Sequence, residues 1–239
     1  SVVIWTTTPW TLPANQAVSI NPELEYSVVQ VEGEHGPERL FIAEAMIKDA
    51  MDKWGFEHYR VIAYGRGELF DLIRLKHPFY DRIVPLILGE HVTTEAGTGC
   101  VHTAPGHGQE DFAVGLKYDL EVDCPVDGRG NYVAGTPLFE GENVLKVDDH
   151  VIEVLKEHKA LLHIEVIEHS YPHCWRCDTP LLNYATTSWF VEVTKLRDEL
   201  VKENIRPLCG NPDIHPQCSS SIPEECREKK AWETMKDAG

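Results

Sequence analysis

Three adjacent threonines, Thr6, Thr7 and Thr8, open the stretch TTTPWTLPAN and put more hydroxyls in one place than a strand needs. Threonine is β-branched and suits a strand, and each proline removes a backbone donor and ends regular pairing. That accounts for the conformation and leaves three hydroxyls able to donate and accept hydrogen bonds. A second concentration of reactive groups lies at residues 97–120, GTGCVHTAPGHGQEDFAVGLKYDL, where Cys100, His102, His107, Glu110 and Asp111 stand among Gly97, Gly99, Gly106 and Gly108. Such glycines serve turns, or let backbone approach a ligand that a Cβ would exclude. Their spacing matches neither a dinucleotide fingerprint nor a phosphate-binding P-loop.

Several chemistries are open to these residues. His102 and His107 together suggest a metal-dependent hydrolase, yet five-residue spacing across a Pro-Gly turn is not the i, i+4 helical pair of a zinc hydrolase, and no third ligand is fixed by the sequence. Cys100 and His102 share a face if their segment is a strand, as a Cys–His nucleophile pair would, although an unassisted cysteine is more often a buried hydrophobe. A carboxylate at a helix start, such as Asp111, often only complements the helix dipole. Cys174 and Cys177, in HCWRC, have zinc-knuckle spacing and supply two of the four ligands of a structural zinc site, to be completed by Cys209, Cys218 or Cys226 or by sequence outside the chain. On that alternative the protein is a zinc-stabilised interaction module without catalysis.

The elements that must position these groups are partly legible. Alternation and apolar runs predict strands at 2–5, 24–32, 60–64 and 83–88, the last nearly all apolar and therefore central. Helical spacing predicts helices at 43–54, ending at Gly55, at 109–118 and at 143–158, where Val144, Val147, Val151, Val154 and Leu155 form one stripe. Strand character returns at 161–167, and TTSWFVEVTKLRDELVKEN reads as a strand leading into a polar helix. Beyond Ile205 the composition turns to Pro, Ser and Cys with few large apolar residues, so poor order is expected there.

The 239 residues suffice for a substantial core, and 42% hydrophobic with 26% charged residues is ordinary for a globular protein. A net charge of −17 argues against a broad nucleic-acid surface, because phosphate neutralisation supplies most of that affinity. Any contact with nucleic acid is expected to be small or assisted. No apolar run approaches a membrane span and the N-terminal sequence lacks signal-peptide features, so neither membrane association nor secretion is expected. Seven scattered cysteines without a disulfide framework point to a reducing, cytoplasmic setting. A start in strand-like sequence without methionine suggests a fragment of a larger protein.

Taken together, WTTTPWTLPANQAV and GTGCVHTAPGHGQEDFAVGLKYDLE resemble the editing domain of the isoleucyl-tRNA synthetase family. The valyl and leucyl relatives usually carry arginine at the place of Thr8 and lack the HTAPGHG wording. YPHCWRCDTPLLNYATTSWFVEVTKL is similar to the segment leading back to the synthetase body, so the resemblance divides the chain into an editing core (1–168), a cysteine knuckle and return segment (169–204) and an unrecognised tail (205–239). It implies a mixed α/β fold with a barrel-like β core decorated by helices. It also implies hydrolysis of valine misattached to the 3′ end of isoleucine tRNA by a positioned water, with no cofactor for editing beyond a possible structural zinc. A pocket for isoleucine rejects a side chain one methylene smaller by only about 1–3 kcal/mol, a limit for which this amino-acid pair is the standard case, so a second sieve is needed. By the same resemblance Asp111 pairs with the substrate's α-ammonium, Thr6, Thr7 and Thr8 line the hydrolytic cleft, and His102 shapes the side-chain pocket. Trp5, Trp10 and Asn15 neighbour the terminal adenosine.

Overall fold

The computed structural model describes residues 1–33, 36–168 and 170–209, the last of them, from 202, as helix backbone alone. Residues 1–186 form one compact unit, and the helix α4 (Val193–Cys209) belongs to a second. In the first unit β1 (Ala17–Ile20) precedes an antiparallel three-stranded set of β2 (Glu25–Gly33), β3 (Gly36–Ala43) and β4 (Tyr59–Arg66), with α1 (Ile47–Trp54) between the last two in sequence. Then come β5 (Arg74–Lys76), β6 (Ile83–Leu88), β7 (Cys100–Thr103), α2 (Gln109–Lys117) and α3 (Asp148–Glu157).

The strands make two sheets, ordered β5-β6-β1-β7 and β3-β2-β4. β1 pairs in parallel with β6 and antiparallel with β7, in a register that puts Val18 beside both Leu86 and His102. Parallel pairing needs a long crossover, and the whole set of β2, β3 and β4 with α1 fills it. β6 lies between β5 and β1, the interior place its unbroken apolar run predicts.

Apolar faces decide the stacking. Val18, Ile20, Leu86 and Cys100 of the first sheet share a buried cluster with Tyr26, Phe41 and Ala43 of the second, so the sheets pack face to face. α1 covers the other face of the second sheet through Ile47, Ala50 and Met51, and α2 covers the outer face of the first sheet by setting Val114 against Ala17 and Ile87. A fourth cluster is built from α3, Phe79, Tyr132 and Phe139 beneath Trp10 and Leu12. The expected barrel is therefore corrected in one respect: among the described residues the two sheets stay open, because large side chains fill the space between them where a barrel would curl and close.

Local expectations are corrected as well. Residues 2–5 make only a single bridge, Val2 to Phe41, and 161–167 forms no strand, since Ile164 and Val166 stand exposed without a partner. Asn143 turns the chain through its own side chain, accepting from the Leu145 N–H at 3.1 Å, and the helix foreseen from 143 begins at Asp148. α4 runs to Cys209, past the point where order was expected to fail, and residues 210–239 of the tail, with Cys218 and Cys226, lie outside the described residues.

Tyr26 ties the two sheets together. Its ring is fully buried and stacks on Phe41, while its hydroxyl donates to the Gly99 carbonyl at 2.7 Å and accepts from the Asn21 N–H at 2.9 Å. Gly99 itself has φ +71 and meets the Ala43 side chain where a Cβ would stand, so only glycine fits. Removing the hydroxyl in Tyr26→Phe leaves both backbone groups buried and unpaired, which should cost roughly 1–3 kcal/mol. A urea unfolding curve with a lower midpoint and unchanged slope is the expected result.

Candidate active site

The 3-10 helix Pro9–Ala14 follows the threonines and turns their hydroxyls toward the start of α2. Thr6 Oγ1 accepts from the Thr8 N–H at 3.0 Å and lies 3.3 Å from Thr8 Oγ1. The exposed Thr7 hydroxyl makes no hydrogen bond among the described residues. A cleft of about 410 Å3 opens here, lined by Trp5, Thr6, Thr7, Thr8 and Thr11 on one side and by His102, His107, Glu110 and Asp111 on the other. His91, Thr93 and Glu95 complete its wall.

Asp111 sits in the first turn of α2, half-buried, and its Oδ2 accepts the Ala104 N–H at 2.9 Å. The turn below is closed by the His107 N–H on the Ala104 carbonyl, and Gly108 leaves room for the carboxyl group, which a Cβ there would meet at 2.9 Å. Burial raises the pKa of Asp111, and the Ala104 N–H and His91 oppose the rise. The result is a fixed carboxylate with its second oxygen left for a cation, in a cleft whose other acids favour positive charge.

His102 is buried at the end of β7, and its hydrogen bonds set its protonation. Thr11 Oγ1 donates to the Thr8 carbonyl at 2.9 Å, so at 2.8 Å it must accept from His102 Nε2, which carries the proton. Nδ1 is then the acceptor for Asn15 Nδ2 at 3.5 Å, and Asn15 also donates to the Ala17 carbonyl at 2.8 Å. Burial, with a smaller contribution from His107, lowers the pKa of His102 to about 4. With Nε2 donating to Thr11 and Nδ1 accepting from Asn15, His102 is a neutral wall, an arrangement that speaks against the alternative of a His102/His107 metal pair. His107 donates from Nδ1 to the Asn183 carbonyl at 3.0 Å and sets its edge against Trp10.

The Cys–His nucleophile pair also fails. Cys100 and His102 do share a face of β7, but Cys100 is 1% exposed inside the inter-sheet cluster, and burial pushes its thiol far above the ordinary range. What the cleft offers is a carboxylate, several hydroxyls and a neutral imidazole, a set whose chemistry suits an ammonium group and a hydrogen-bonded water.

Over residues 2–153 the chain matches the protein family described as leucyl-tRNA synthetase, editing domain. The chain belongs to this family of synthetase editing domains. Its curated relatives include the isoleucine–tRNA ligase of Methylococcus capsulatus, 62% identical over 195 residues that are 82% of this chain and 21% of the relative. The isoleucine–tRNA ligase of Pseudoalteromonas atlantica is 56% identical over 205 residues, 85% of this chain and 22% of that one. The chain thus spans about a fifth of the length of these relatives. Among solved structures, the editing domain of P. knowlesi cytosolic leucyl-tRNA synthetase aligns with TM-score 0.53 and 10% identity over 69% of this chain and 83% of that one. GlLeuRS-CP1 aligns with the same TM-score and 14% identity over 66% and 77%. At such identities the likeness is one of fold.

In this editing domain Thr6, Thr7, Thr8, His102, Asp111 and Trp5 all come to one cleft, and Trp10 and Asn15 do not line it. Trp10 is buried in the cluster under the 3-10 helix, and Asn15 is engaged with His102 and Ala17, so both support the cleft from below. Cys174 and Cys177 share one turn, closed by the Asp178 N–H on the Cys174 carbonyl; contact with Thr179 lowers the pKa of Cys177. Among the described residues no three His, Cys, Asp or Glu cluster closely enough to hold a metal. The sequence reading missed Thr11 and His91. Thr11 carried a signal, since it follows Thr8 by three residues, the spacing that stacks side chains on a 3-10 turn.

The neutral histidines make stability depend on pH. His77, also buried, has its pKa lowered to about 4 by burial and by Arg82. Between about pH 6.5 and 4 an unfolded histidine takes up a proton that folded His77 and His102 refuse, so stability falls as pH falls, by on the order of a few kcal/mol in all. The raised carboxyls of Asp111 and Asp148 act in the opposite direction. Urea midpoints at pH 7 and pH 5 for the chain and for His102→Asn isolate the imidazole, and the variant should lose less stability between the two.

Proposed function

We propose that the domain performs post-transfer editing within an isoleucine–tRNA ligase, hydrolysing the ester of valine misattached to isoleucine tRNA. The observation that carries this reading is the facing of Asp111, a half-buried carboxylate with one oxygen unspent, by threonine hydroxyls and the neutral His102 across a cleft of about 410 Å3. Thr8, where the resemblance puts arginine in the valyl and leucyl relatives, and the isoleucine–tRNA ligase relatives favour isoleucine tRNA over its sisters.

The α-ammonium of the aminoacyl ester pairs with Asp111, which selects a charged amino acid over a free acid or a peptide. The threonine hydroxyls hold the terminal ribose and the attacking water. An aminoacyl ester is already activated, so orientation of water and hydrogen bonds to the developing oxyanion suffice without a covalent intermediate. His102 and Thr11 form the wall that admits valine and excludes the extra methylene of isoleucine. With its strongly acidic balance the domain grips only the single-stranded 3′ end, and the remainder of the ligase supplies the other tRNA contacts. Cys174 and Cys177 fit one half of a tetrahedral zinc site with two donors from outside the described residues, and that metal would serve folding, not hydrolysis.

The test compares release of valine and isoleucine from charged isoleucine-tRNA minihelices. The chain should release valine faster by tenfold or more, and Asp111→Ala should lose at least tenfold of that rate, since a charge-assisted hydrogen bond is worth roughly 1.5–3 kcal/mol. The rate should also fall with pH as Asp111, its pKa raised by burial, takes up a proton. Equal release of both amino acids, or indifference to Asp111, would rule the reading out.

A further inference from the structure

The 3-10 helix Pro9–Ala14 carries the threonine wall, yet it belongs to no sheet. Pro9 and Pro13 lack backbone donors, and short 3-10 turns have poor intrinsic hydrogen-bond geometry. Its position therefore depends on side chains from elsewhere. The loop between β5 and β6, HPFYDR, supplies two of them. Arg82 Nη2 donates to the Pro13 carbonyl at 2.8 Å, and His77 Nε2 donates to the Leu12 carbonyl at 3.1 Å.

That loop is rigid. The His77 N–H closes it on the Arg82 carbonyl at 3.0 Å, and His77 Nδ1 accepts the Tyr80 N–H at 3.0 Å, which fixes the ring proton on Nε2. The Arg82 guanidinium lies over the Tyr80 ring, 5.3 Å from its centroid, and Phe79 anchors the loop in the cluster under the helix. The two carbonyls it grips directly follow Thr11. Thr11 is the residue whose hydroxyl bonds both the Thr8 carbonyl and His102. Neither Arg82 nor His77 lines the cleft.

We propose that Arg82 and His77 are positioning residues for amino-acid selection: by holding the carbonyls of Pro13 and Leu12 they fix Thr11 against His102 and so set the width of the side-chain pocket. This rests on the editing reading for its activity consequence, but not for its structural one. Loss of the guanidinium frees the Pro13 carbonyl, lets the helix drift from the loop, and loosens the Thr11–His102 contact on which rejection of isoleucine depends. Discrimination then fails before folding does.

The experiment uses Arg82→Ala, its conservative partner Arg82→Lys, and Thr11→Ala alone and combined with Arg82→Ala, in the 239-residue chain. Circular dichroism and the unfolding midpoint establish that each variant folds. Two readouts follow: the ratio of valine to isoleucine release from charged minihelices, and the ring nitrogen resonances of His102, assigned by its loss in His102→Asn. The expected result for Arg82→Ala is a fall of about tenfold in the ratio, a lower kcat for valine with little change in KM, and altered His102 resonances. Arg82→Lys should restore most of each, and the double variant should be no worse than Thr11→Ala alone, as residues acting through one contact are non-additive. An unchanged ratio with unchanged His102 resonances in a folded Arg82→Ala overturns the proposal. If the parent chain releases neither amino acid the editing reading fails alone, and the resonances still decide whether Arg82 positions Thr11.

Discussion

The hydrogen bond from His102 Nε2 to Thr11 Oγ1 joins the 3-10 helix to β7, 91 residues apart in the chain, and braces two lining residues of the cleft against each other. It requires a neutral imidazole with its proton on Nε2, and the surroundings enforce both conditions. Burial disfavours the charged ring, the Thr8 carbonyl takes the Thr11 proton, and Asn15 occupies the other ring nitrogen. A charged or reversed ring would leave a buried donor facing a donor, at a cost comparable to a lost hydrogen bond or more.

The sheets place the two partners. His102 lies in β7 opposite Val18 of β1, and the chain leaves the threonine helix only two residues before β1 begins, so the β1–β7 register brings the helix and His102 together. β6 and α2 then brace β1 from either side, and Asp111 arrives on the first turn of α2 with its carboxylate held by Ala104. Asp111 and the His102–Thr11 wall are thus both tied to β1, the first through the packing of α2 and the second through the β1–β7 pairing.

Much of this was legible in the sequence, for physical reasons that also mark the limits. Thr6, Thr7, Thr8, His102 and Asp111 drew notice as hydroxyls, an imidazole and a carboxylate concentrated in two short stretches, but it was the family resemblance that put them in one cleft; the unbroken apolar run of β6 announced an interior strand. Strands β1 and β7 were hidden because four residues give too short a period to read, and β7 also lies inside a glycine-rich stretch. Residues 161–167 have strand composition without a strand, since pairing needs a partner that composition does not reveal. That Trp10 and Asn15 lie behind the cleft lining was not legible, because a shared motif does not say which side of a 3-10 turn faces the cleft.

On the proposed reading the carboxylate of Asp111 recognises a charged α-amino group while the neutral wall judges the side chain. Acetylating the α-amino group of valine on the charged minihelix removes that charge; because it also slows uncatalysed hydrolysis of the ester, each rate is taken relative to that of the same substrate without protein. Comparing the rates of ester hydrolysis for acetylated and free valyl minihelix by the unaltered chain tests the claim most directly. The account predicts that acetylation lowers the rate by tenfold or more, whereas equal rates for the two substrates would contradict it.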